Sequence, residues 1–434
     1  MSHHHHDQES TQSTGSTGTY SRRLFMQQGM AFLSMATTVP LFMQQSAKGI
    51  MLPVGSLLSS QPGIPEDHTL VVIQLAGGND GLNTVIPYGD RAYYNSRPQL
   101  AIKQSDVLEI PGADGYGLHP NLTGLLELMN DGQAAIVQGV GYPNPNRSHF
   151  TSTDIWHTGN HNGQGYGWLG KYFDNTCAGK PNPKGSIAIG NKAPLALHGK
   201  TQKAVNFETE KLFRWAGGTV DSSLEKTYDE INRKESAAKE EDSQLDFLVR
   251  TSLDAQVSSD RIRSAVSKQP LINYPDGELS KQLQLIGSMI RADLPTRVYY
   301  ASLGGFDTHA NQLNGHANLM RQVGGALNAF QNDLKKQGNT GKVITMVFSE
   351  FGRRVAQNGS AGTDHGTAAP MFLIGDYVQN GLLGEHPSLT NLDQGDLKFN
   401  TDFREVYAAI LENWMGADSK AILGKKYAKA DVLT

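Results

Sequence analysis

Several short polar clusters in this 434-residue sequence combine the residue types that chemistry at a divalent cation requires. Asp307 and His309 follow a pair of glycines and lie two residues apart, so in an extended chain both side chains point to one face and can bind one metal ion. The alternative is that Asp307 only orients a structural histidine. The full set of candidate metal ligands is Asp80, Asp307, His309, Glu350 and His365.

A second group of residues could supply a nucleophile and bind an anion. Ser148 stands where a helix could begin, and the positive end of a helix dipole favours a bound oxyanion there. Arg147 could grip a phosphate or sulfate with two hydrogen bonds, and Asn79 could steady further oxygens. The alternative for Ser148 is an ordinary N-cap, although one serine can be both cap and nucleophile.

Neighbouring side chains are candidates for the walls of a pocket around these groups: His149, Trp156, Arg353 and Asp364. Glu350 ends an otherwise apolar segment, so its burial requires a partner, which could be a cation or Arg353. The only cysteine, Cys177, excludes a thiolate cluster and an internal disulfide framework. Metal binding would therefore use oxygen and nitrogen ligands, with one or two divalent cations such as Zn, Mg, Mn or Ca.

The elements that would position these clusters read as strands alternating with helices. Short β-rich runs cover residues 69–76, 134–140, 185–190, 297–303, 342–349 and 371–375, and several are apolar throughout, as in parallel strands buried on both faces. Amphipathic patterns at 121–130, 316–336 and 402–416 predict helices. The sequence thus predicts an α/β fold with a doubly wound, mostly parallel central sheet flanked by helices. Ligands gather at the carboxyl ends of such strands.

The chain divides into a leader region and one large domain. Residues 1–20 are rich in Ser, Thr and Gly and should be disordered, and His3–His6 within them is either a tag or a native tract. Residues 21–47 pair Arg22 and Arg23 with a short apolar stretch, which is typical of a twin-arginine export signal; the alternative is an amphipathic helix. Residues 66–434 would form the α/β domain, with a polar helical insertion at about 221–292.

Composition excludes several classes of function. Charged residues make up 18% of the chain and the net charge is −4, so no basic surface indicates nucleic acid as a partner. A membrane contact would come only through an uncleaved leader. The leader predicts a periplasmic, extracellular or cell-surface location. Possible partners are a small-molecule or polysaccharide ester as substrate, and a protein bound through the helical insertion.

The motifs resemble a bacterial secreted family of unknown function, DUF1501, within the alkaline phosphatase and sulfatase superfamily. The matching stretches include the twin-arginine leader, AGGNDGLN, NRSHFTSTDIWHTG, GGFDTHANQ, TMVFSEFGRR and GTDHGTAAPMFLIG. The resemblance implies two divalent metals and a serine, threonine or modified cysteine nucleophile. By position, Asp80 matches the early metal aspartate and Ser148 the nucleophile. Asp307 and His309 match the ligands of one metal, Glu350 the late strand-end carboxylate and His365 the final histidine.

The departures from the superfamily pattern leave two functions open. Glu350-Phe351 replaces the usual Asp-His pair, so a second metal site loses a ligand, and the absence of cysteine at position 148 does not support the formylglycine route. The first hypothesis is an exported metal-dependent hydrolase or transferase of phosphate, sulfate or related esters with a serine nucleophile. The alternative is a secreted, non-catalytic binding or assembly protein on a degenerate fold of the same type.

Overall fold

The computed structural model describes residues 67–176, 185–190, 192–202, 204–207 and 261–434. The predicted N-terminal tail (1–20), the twin-arginine segment (21–47), Cys177 and residues 221–260 of the predicted insertion lie outside these ranges. Within the described residues, no helix has the length and apolar character needed to cross a membrane.

A large mixed sheet forms the centre of the molecule. Its strands are β1 (Thr69–Leu75), β5 (Ala134–Gly141), β6 (Ser186–Ile189), β7 (Val205–Phe207), β8 (Val298–Leu303), β9 (Val343–Phe348), β10 (Ala369–Ile374), β11 (Gly381–Leu383) and β12 (Thr401–Asp402). They pair in the order β11–β5–β10–β9–β1–β8–β6–β7, and β12 pairs with β5 as well. A small three-stranded sheet contains β2 (Val85–Ile86), β3 (Leu108–Glu109) and β4 (Gly117–Leu118).

Strand direction explains why residues from distant parts of the sequence meet at one edge. β1 pairs in parallel with both β8 and β9, and β5 runs the same way because β10 is antiparallel to both β5 and β9. The carboxyl ends of β1, β5, β8 and β9 therefore share one edge with the start of β10. Among the described strands of this sheet, β10 alone is reversed, which confirms the predicted mostly parallel sheet.

Helices cover both faces of the sheet. The described helices are α1 (Gly81–Thr84), α2 (Arg91–Ser96), α3 (Thr123–Asn130), α4 (His149–Thr158), α5 (Trp168–Thr176), α6 (Glu278–Arg291), α7 (Gln312–Gln337), α8 (Phe403–Ala409) and α9 (Ser419–Leu423), with a further helical turn at 261–266. On one face, α3, α6 and α7 pack with Val71 and Ile73 of β1. On the other, α4, α5 and α8 pack with Leu70 and Val72. This alternation along β1 gives the doubly wound sandwich that the apolar strands predicted.

Helix α6 corrects the end of the predicted insertion. Its Leu279, Leu283, Ile286 and Met289 are fully buried and belong to the same apolar cluster as β1 and α7. Polar residues such as Lys281 occupy the exposed side of this helix and gave the segment its polar composition. The residues up to 292 therefore include a layer helix of the main domain.

Candidate metal centre

Arg353 ties together the loops that surround the site. Its side chain is fully buried, and it donates from Nε to the carbonyl of Gly78 at 2.7 Å and from Nη1 to the carbonyl of Thr363 at 2.9 Å. Nη2 donates to the carbonyl of Phe306 at 2.9 Å and to Oδ1 of Asp307 at 2.7 Å. The rigid fork of a guanidinium suits this set of acceptors. One arginine thus fixes the turns that follow β1 and β8 and the turn that precedes β10.

The glycine turn after β1 leaves room for the aromatic ring of Phe351 next to two histidines of the site. Gly78 has φ +76°, and a Cβ at this position would lie 2.3 Å from the ring of Phe351. A larger residue is therefore excluded both by conformation and by space. The Phe351 ring in turn lies 4.8 Å from the imidazole of His149 and 4.9 Å from that of His365, measured between centroids. Phe351 cannot bind a metal, but it supports the two histidines that face the site.

Three histidines converge on one carboxylate oxygen. Oδ1 of Asp307 lies 3.0 Å from Nε2 of His309, 3.0 Å from Nε2 of His365 and 3.4 Å from Nε2 of His149. The Nε2 atoms of His309 and His365 are themselves 3.0 Å apart. We call these four residues, His149, Asp307, His309 and His365, the histidine cluster.

The other ring nitrogen of each histidine is held by an acceptor. Nδ1 of His149 donates to Oε1 of Glu350 at 2.8 Å, and Nδ1 of His365 donates to the carbonyl of Arg147 at 2.8 Å. Nδ1 of His309 lies 3.4 Å from Oδ1 of Asp364. A proton on Nδ1 leaves a lone pair on Nε2, so the Nε2 atoms of His149 and His365 face Asp307 as acceptors. Facing acceptors are stable only with a positive charge between them, which a proton or a metal ion can supply.

These residues fit a divalent cation. Nε2 of His149 is buried and has no hydrogen-bond partner among the described residues. Ligand atoms at about 2.0–2.1 Å from a tetrahedral zinc ion lie roughly 3.4 Å apart. The distances from Oδ1 of Asp307 to the three Nε2 atoms are close to this value, and His149, Asp307 and His365 each have a ligand atom within 4.8 Å of the others. Histidines that bind metals commonly give their other nitrogen to a carboxylate or carbonyl, as all three do in this cluster. Three carboxylates surround the site, Asp307, Glu350 and Asp364, and Arg353 offsets only part of their charge.

Asp307 stays ionised at neutral pH. Burial raises the pKa of this carboxyl group, but the hydrogen bond and the positive charge of Arg353 act against that effect, and the pKa lies well below its usual value. The side chain remains 48% exposed. The carboxylate is therefore charged, oriented by Arg353 and open to solvent, which are the properties that a metal ligand at an accessible site needs.

Ser148 lies at the edge of the histidine cluster. It is the N-cap of α4, it is exposed, and its hydroxyl makes no capping hydrogen bond. The preceding residue, Arg147, accepts a hydrogen bond from His365, and the following residue is His149. The serine hydroxyl is therefore at a helix N-terminus between two residues that contact the cluster.

Asp80 and Asn79 lie elsewhere, which corrects their expected roles as metal ligand and anion-binding residue. Asp80 is fully buried, with Oδ2 at 2.6 Å from Nη1 of Arg97, and it caps α1. Asn79 is also buried and bonds Thr84 and His316 through its side chain. A carboxylate already neutralised by a buried arginine has no charge to offer a cation.

Asp80 still contributes to the frame of the site through Gln312. The amide nitrogen of Gln312 donates to Asp80, while its carbonyl oxygen accepts from Thr308 at 3.0 Å and from Thr363 at 2.6 Å. Thr308 lies between Asp307 and His309, and Thr363 lies two residues before His365. The sequence pattern singled out Asp80 but not its role, because its partners Arg97 and Gln312 come close to it only in the folded chain.

Glu350 and Trp156 also differ from their expected roles. Glu350 is buried and accepts from the backbone of Gly77 at 2.8 Å as well as from His149, so it orients a histidine rather than binding the cation itself. The guanidinium of Arg147 pairs with Asp396. Trp156 is buried between Phe348 and Phe403 and lines a separate cavity of about 310 Å³. Conversely, His149, expected only as a pocket residue, belongs to the cluster.

Fold and cluster together define an α/β sandwich with a candidate metal centre at the carboxyl edge of its sheet. The chain belongs to the family DUF1501, a protein of unknown function, whose profile matches residues 67–425. No curated protein matches the chain.

Several solved structures are similar to parts of the chain. A protein in the alkaline phosphatase superfamily from Vibrio parahaemolyticus is 10% identical, with 90% of this chain and 80% of that chain covered and a TM-score of 0.38. The zinc complex of the C-terminal periplasmic domain of EcEptC from Escherichia coli is 9% identical, with 74% and 78% covered and a TM-score of 0.34. The PsFucS1 sulfatase from Pseudoalteromonas sp. is 10% identical, with 94% and 77% covered and a TM-score of 0.33.

Proposed function

We propose that this chain is a metal-dependent hydrolase or transferase that acts on phosphate, sulfate or related esters. The observation that carries the proposal is the convergence of three imidazole Nε2 atoms on one carboxylate oxygen, next to an exposed serine at a helix N-terminus. The substrate would be a small-molecule or polysaccharide ester.

His149, Asp307, His309 and His365 would hold the cation. A donor set dominated by imidazole suits Zn or another transition metal better than Mg or Ca, which prefer oxygen ligands. A cation bound there supplies charge stabilisation of an ester oxygen. The second cation expected from the sequence lacks its ligands in the described residues, because Asp80 pairs with Arg97 and Glu350 with His149.

Ser148 would be the nucleophile. Its oxygen forms a bond to phosphorus or sulfur while the bond to the ester oxygen breaks, and the released alcohol carries away the serine proton, directly or through solvent. Water then displaces the serine in a hydrolase, and an acceptor hydroxyl does so in a transferase. The first backbone N–H groups of α4 have no acceptor within the helix, so they would donate to the negatively charged oxygens of the transferred group.

Metal analysis combined with a turnover assay tests the proposal. We expect the purified protein to contain a divalent cation, and a chelator to abolish turnover of an aryl phosphate or an aryl sulfate. Ser148→Ala should retain the metal and lose turnover, whereas Ser105→Ala, which alters an exposed serine bonded to Asp106, should behave like the parent. Full activity of Ser148→Ala would exclude this serine as the nucleophile.

The alternative is a secreted binding or assembly protein that keeps the cation for structure. It is favoured by the loss of the second set of ligands and by Phe351, a residue that cannot bind a metal, below the cluster. A protein that holds the cation but turns over none of a broad panel of esters would support this alternative. The predicted insertion would then be a candidate surface for a protein partner.

The twin-arginine segment supports a proposal about location. Arg22, Arg23 and the apolar stretch after them would direct export of the folded protein, to the periplasm or the cell surface. Replacement of both arginines by lysine should leave the protein in the cytoplasmic fraction, and export of that variant at the parent's level would contradict the proposal.

A further inference from the structure

Two arginines share one buried carboxylate next to the histidine cluster. The guanidinium of Arg147 donates from Nη2 to Oδ2 of Asp396, and Nε of Arg354 lies 3.5 Å from Oδ1 of the same residue. The Asp396 side chain is 1% exposed, while those of Arg147 and Arg354 are 38% and 37% exposed. The buried carboxylate therefore anchors two guanidinium groups that face solvent.

The backbones of both arginines contact residues of the site. The carbonyl of Arg147 accepts from Nδ1 of His365, and the backbone N–H of Arg354 donates to the carbonyl of Asp364 at 3.0 Å. The arginine pair thus belongs to the same two loops that deliver Ser148 and His365. The backbones of both arginines therefore lie beside the histidine cluster.

The pair retains donors for a ligand. Each guanidinium carries five N–H groups in a planar fork. Asp396 accepts a hydrogen bond from Nη2 of Arg147, whereas Arg354 pairs with it by charge without a hydrogen bond. One arginine would suffice to neutralise this carboxylate, and the second, Arg354, also lies near the carboxylate of Asp364. Of the other charged groups nearby, Asp364 is engaged by Asn358 and His309, Lys398 donates to Asn391, and Asp393 is exposed.

We propose that Arg147 and Arg354, held by Asp396, bind a second anionic group of the substrate, separate from the ester group that reacts at the histidine cluster. The substrate class is then an ester that carries a further sulfate, phosphate or carboxylate group. The planar N–H fork of a guanidinium group matches the paired oxygens of such an anion. This inference rests on the proposed function, because it assigns the reacting group to the cluster.

Binding of matched anions to the metal-loaded full-length protein tests the inference without turnover. Calorimetry would compare benzene-1,3-disulfonate with benzenesulfonate, and isophthalate with benzoate, so that the two pairs distinguish a sulfonate from a carboxylate preference. We expect a dianion to bind about tenfold more tightly than its monoanion. Arg354→Gln should reduce the affinity of the dianion to that of the monoanion.

Two further variants serve as controls. Arg321→Gln removes an exposed arginine on α7 that bonds Asn318, and it should keep the dianion preference. Arg354→Lys keeps the charge but not the planar fork, so its preference should be intermediate. Equal affinities of the parent protein for dianion and monoanion, or an unchanged preference in Arg354→Gln, would overturn the inference, and so would the absence of binding by all four anions.

The two proposals fail in different ways. Metal-dependent binding of benzenesulfonate without any dianion preference would remove the second anion site and leave the metal centre in place. Full turnover by Ser148→Ala would remove the proposed serine nucleophile while the anion measurements remain valid. Both arginine side chains are partly exposed, so we expect each variant to fold. Its melting temperature checks this.

Discussion

At the residue scale, the histidine cluster depends on how each imidazole is held. A histidine with a free ring can rotate and can place its proton on either nitrogen, and both changes remove a metal ligand. Here Glu350, Asp364 and the carbonyl of Arg147 each take one Nδ1, which directs the Nε2 atoms inward. The partners of the ligands therefore matter almost as much as the ligands themselves.

Glu350→Gln tests this dependence. The substitution removes the charge that holds the Nδ1 proton of His149, so we expect the affinity for Zn to fall by about 10- to 100-fold in competition with a metal-sensitive chelator dye. Glu127→Gln, on an exposed carboxylate of α3 that bonds Asn328, is the matched control and should bind Zn as the parent does. Unchanged affinity of a folded Glu350→Gln protein would show that Glu350 does not orient a ligand.

At the scale of the element, α4 connects the site with the core. It begins after Ser148, carries His149 in its first turn and ends with His157 near Gly159, whose φ of +68° closes the helix. His157 is buried against β1 and β8, with Nε2 at 3.2 Å from Oε1 of Gln74 and 3.0 Å from the hydroxyl of Tyr300. The buried side of α4 thus places a neutral histidine against the core of the sheet.

His157 predicts a dependence of stability on pH. Burial, with a smaller contribution from His198, lowers the pKa of His157 from 6.5 to about 3. Below pH 6.5 the unfolded chain binds a proton that the folded chain excludes, so the stability is complete above pH 6.5 and is lost as the pH falls toward 3. The contribution to the slope is about 1.4 kcal/mol per pH unit.

Urea unfolding at pH 7, 6, 5 and 4 measures this effect. The free energy of unfolding of His157→Gln should fall less steeply with decreasing pH than that of the parent protein. His161→Gln, which alters an exposed histidine just after the same helix, should follow the parent curve. Identical slopes for the parent and His157→Gln would refute a neutral buried histidine at this position.

The elements also show how far the sequence could predict the site. The apolar runs predicted six strands of the sheet to within two residues, but not the short strands β7, β11 and β12. Strand ends placed Asp307, His309 and His365 at one edge, where the structure brings them together. The expected metal ligands Asp80 and Glu350 also lie after strands, but each has a different partner. That outcome depends on Arg97 and His149, which only tertiary packing brings within hydrogen-bond distance.

At the scale of the whole molecule, the cluster requires the complete sandwich. His149 follows β5, Asp307 and His309 follow β8, and His365 precedes the reversed strand β10, so that no single segment of chain contains the site. Arg353, after β9, holds the turns from the other strands in place. Because these residues meet only in the folded sheet, a cation that binds them binds the folded state and not the unfolded chain.

Cation binding should therefore stabilise the protein against unfolding. At a free Zn concentration about 100 times the dissociation constant, the expected gain in the free energy of unfolding is about 2.7 kcal/mol, which would appear as a rise in melting temperature that a chelator reverses. The melting temperature of Asp307→Asn should rise much less with Zn than that of the parent, because the variant lacks the charged oxygen on which the imidazoles converge. The His3–His6 tract is present in both proteins, so any binding there contributes equally and cancels in the comparison. A melting temperature that rises with Zn by the same amount in both proteins would place the cation outside the histidine cluster.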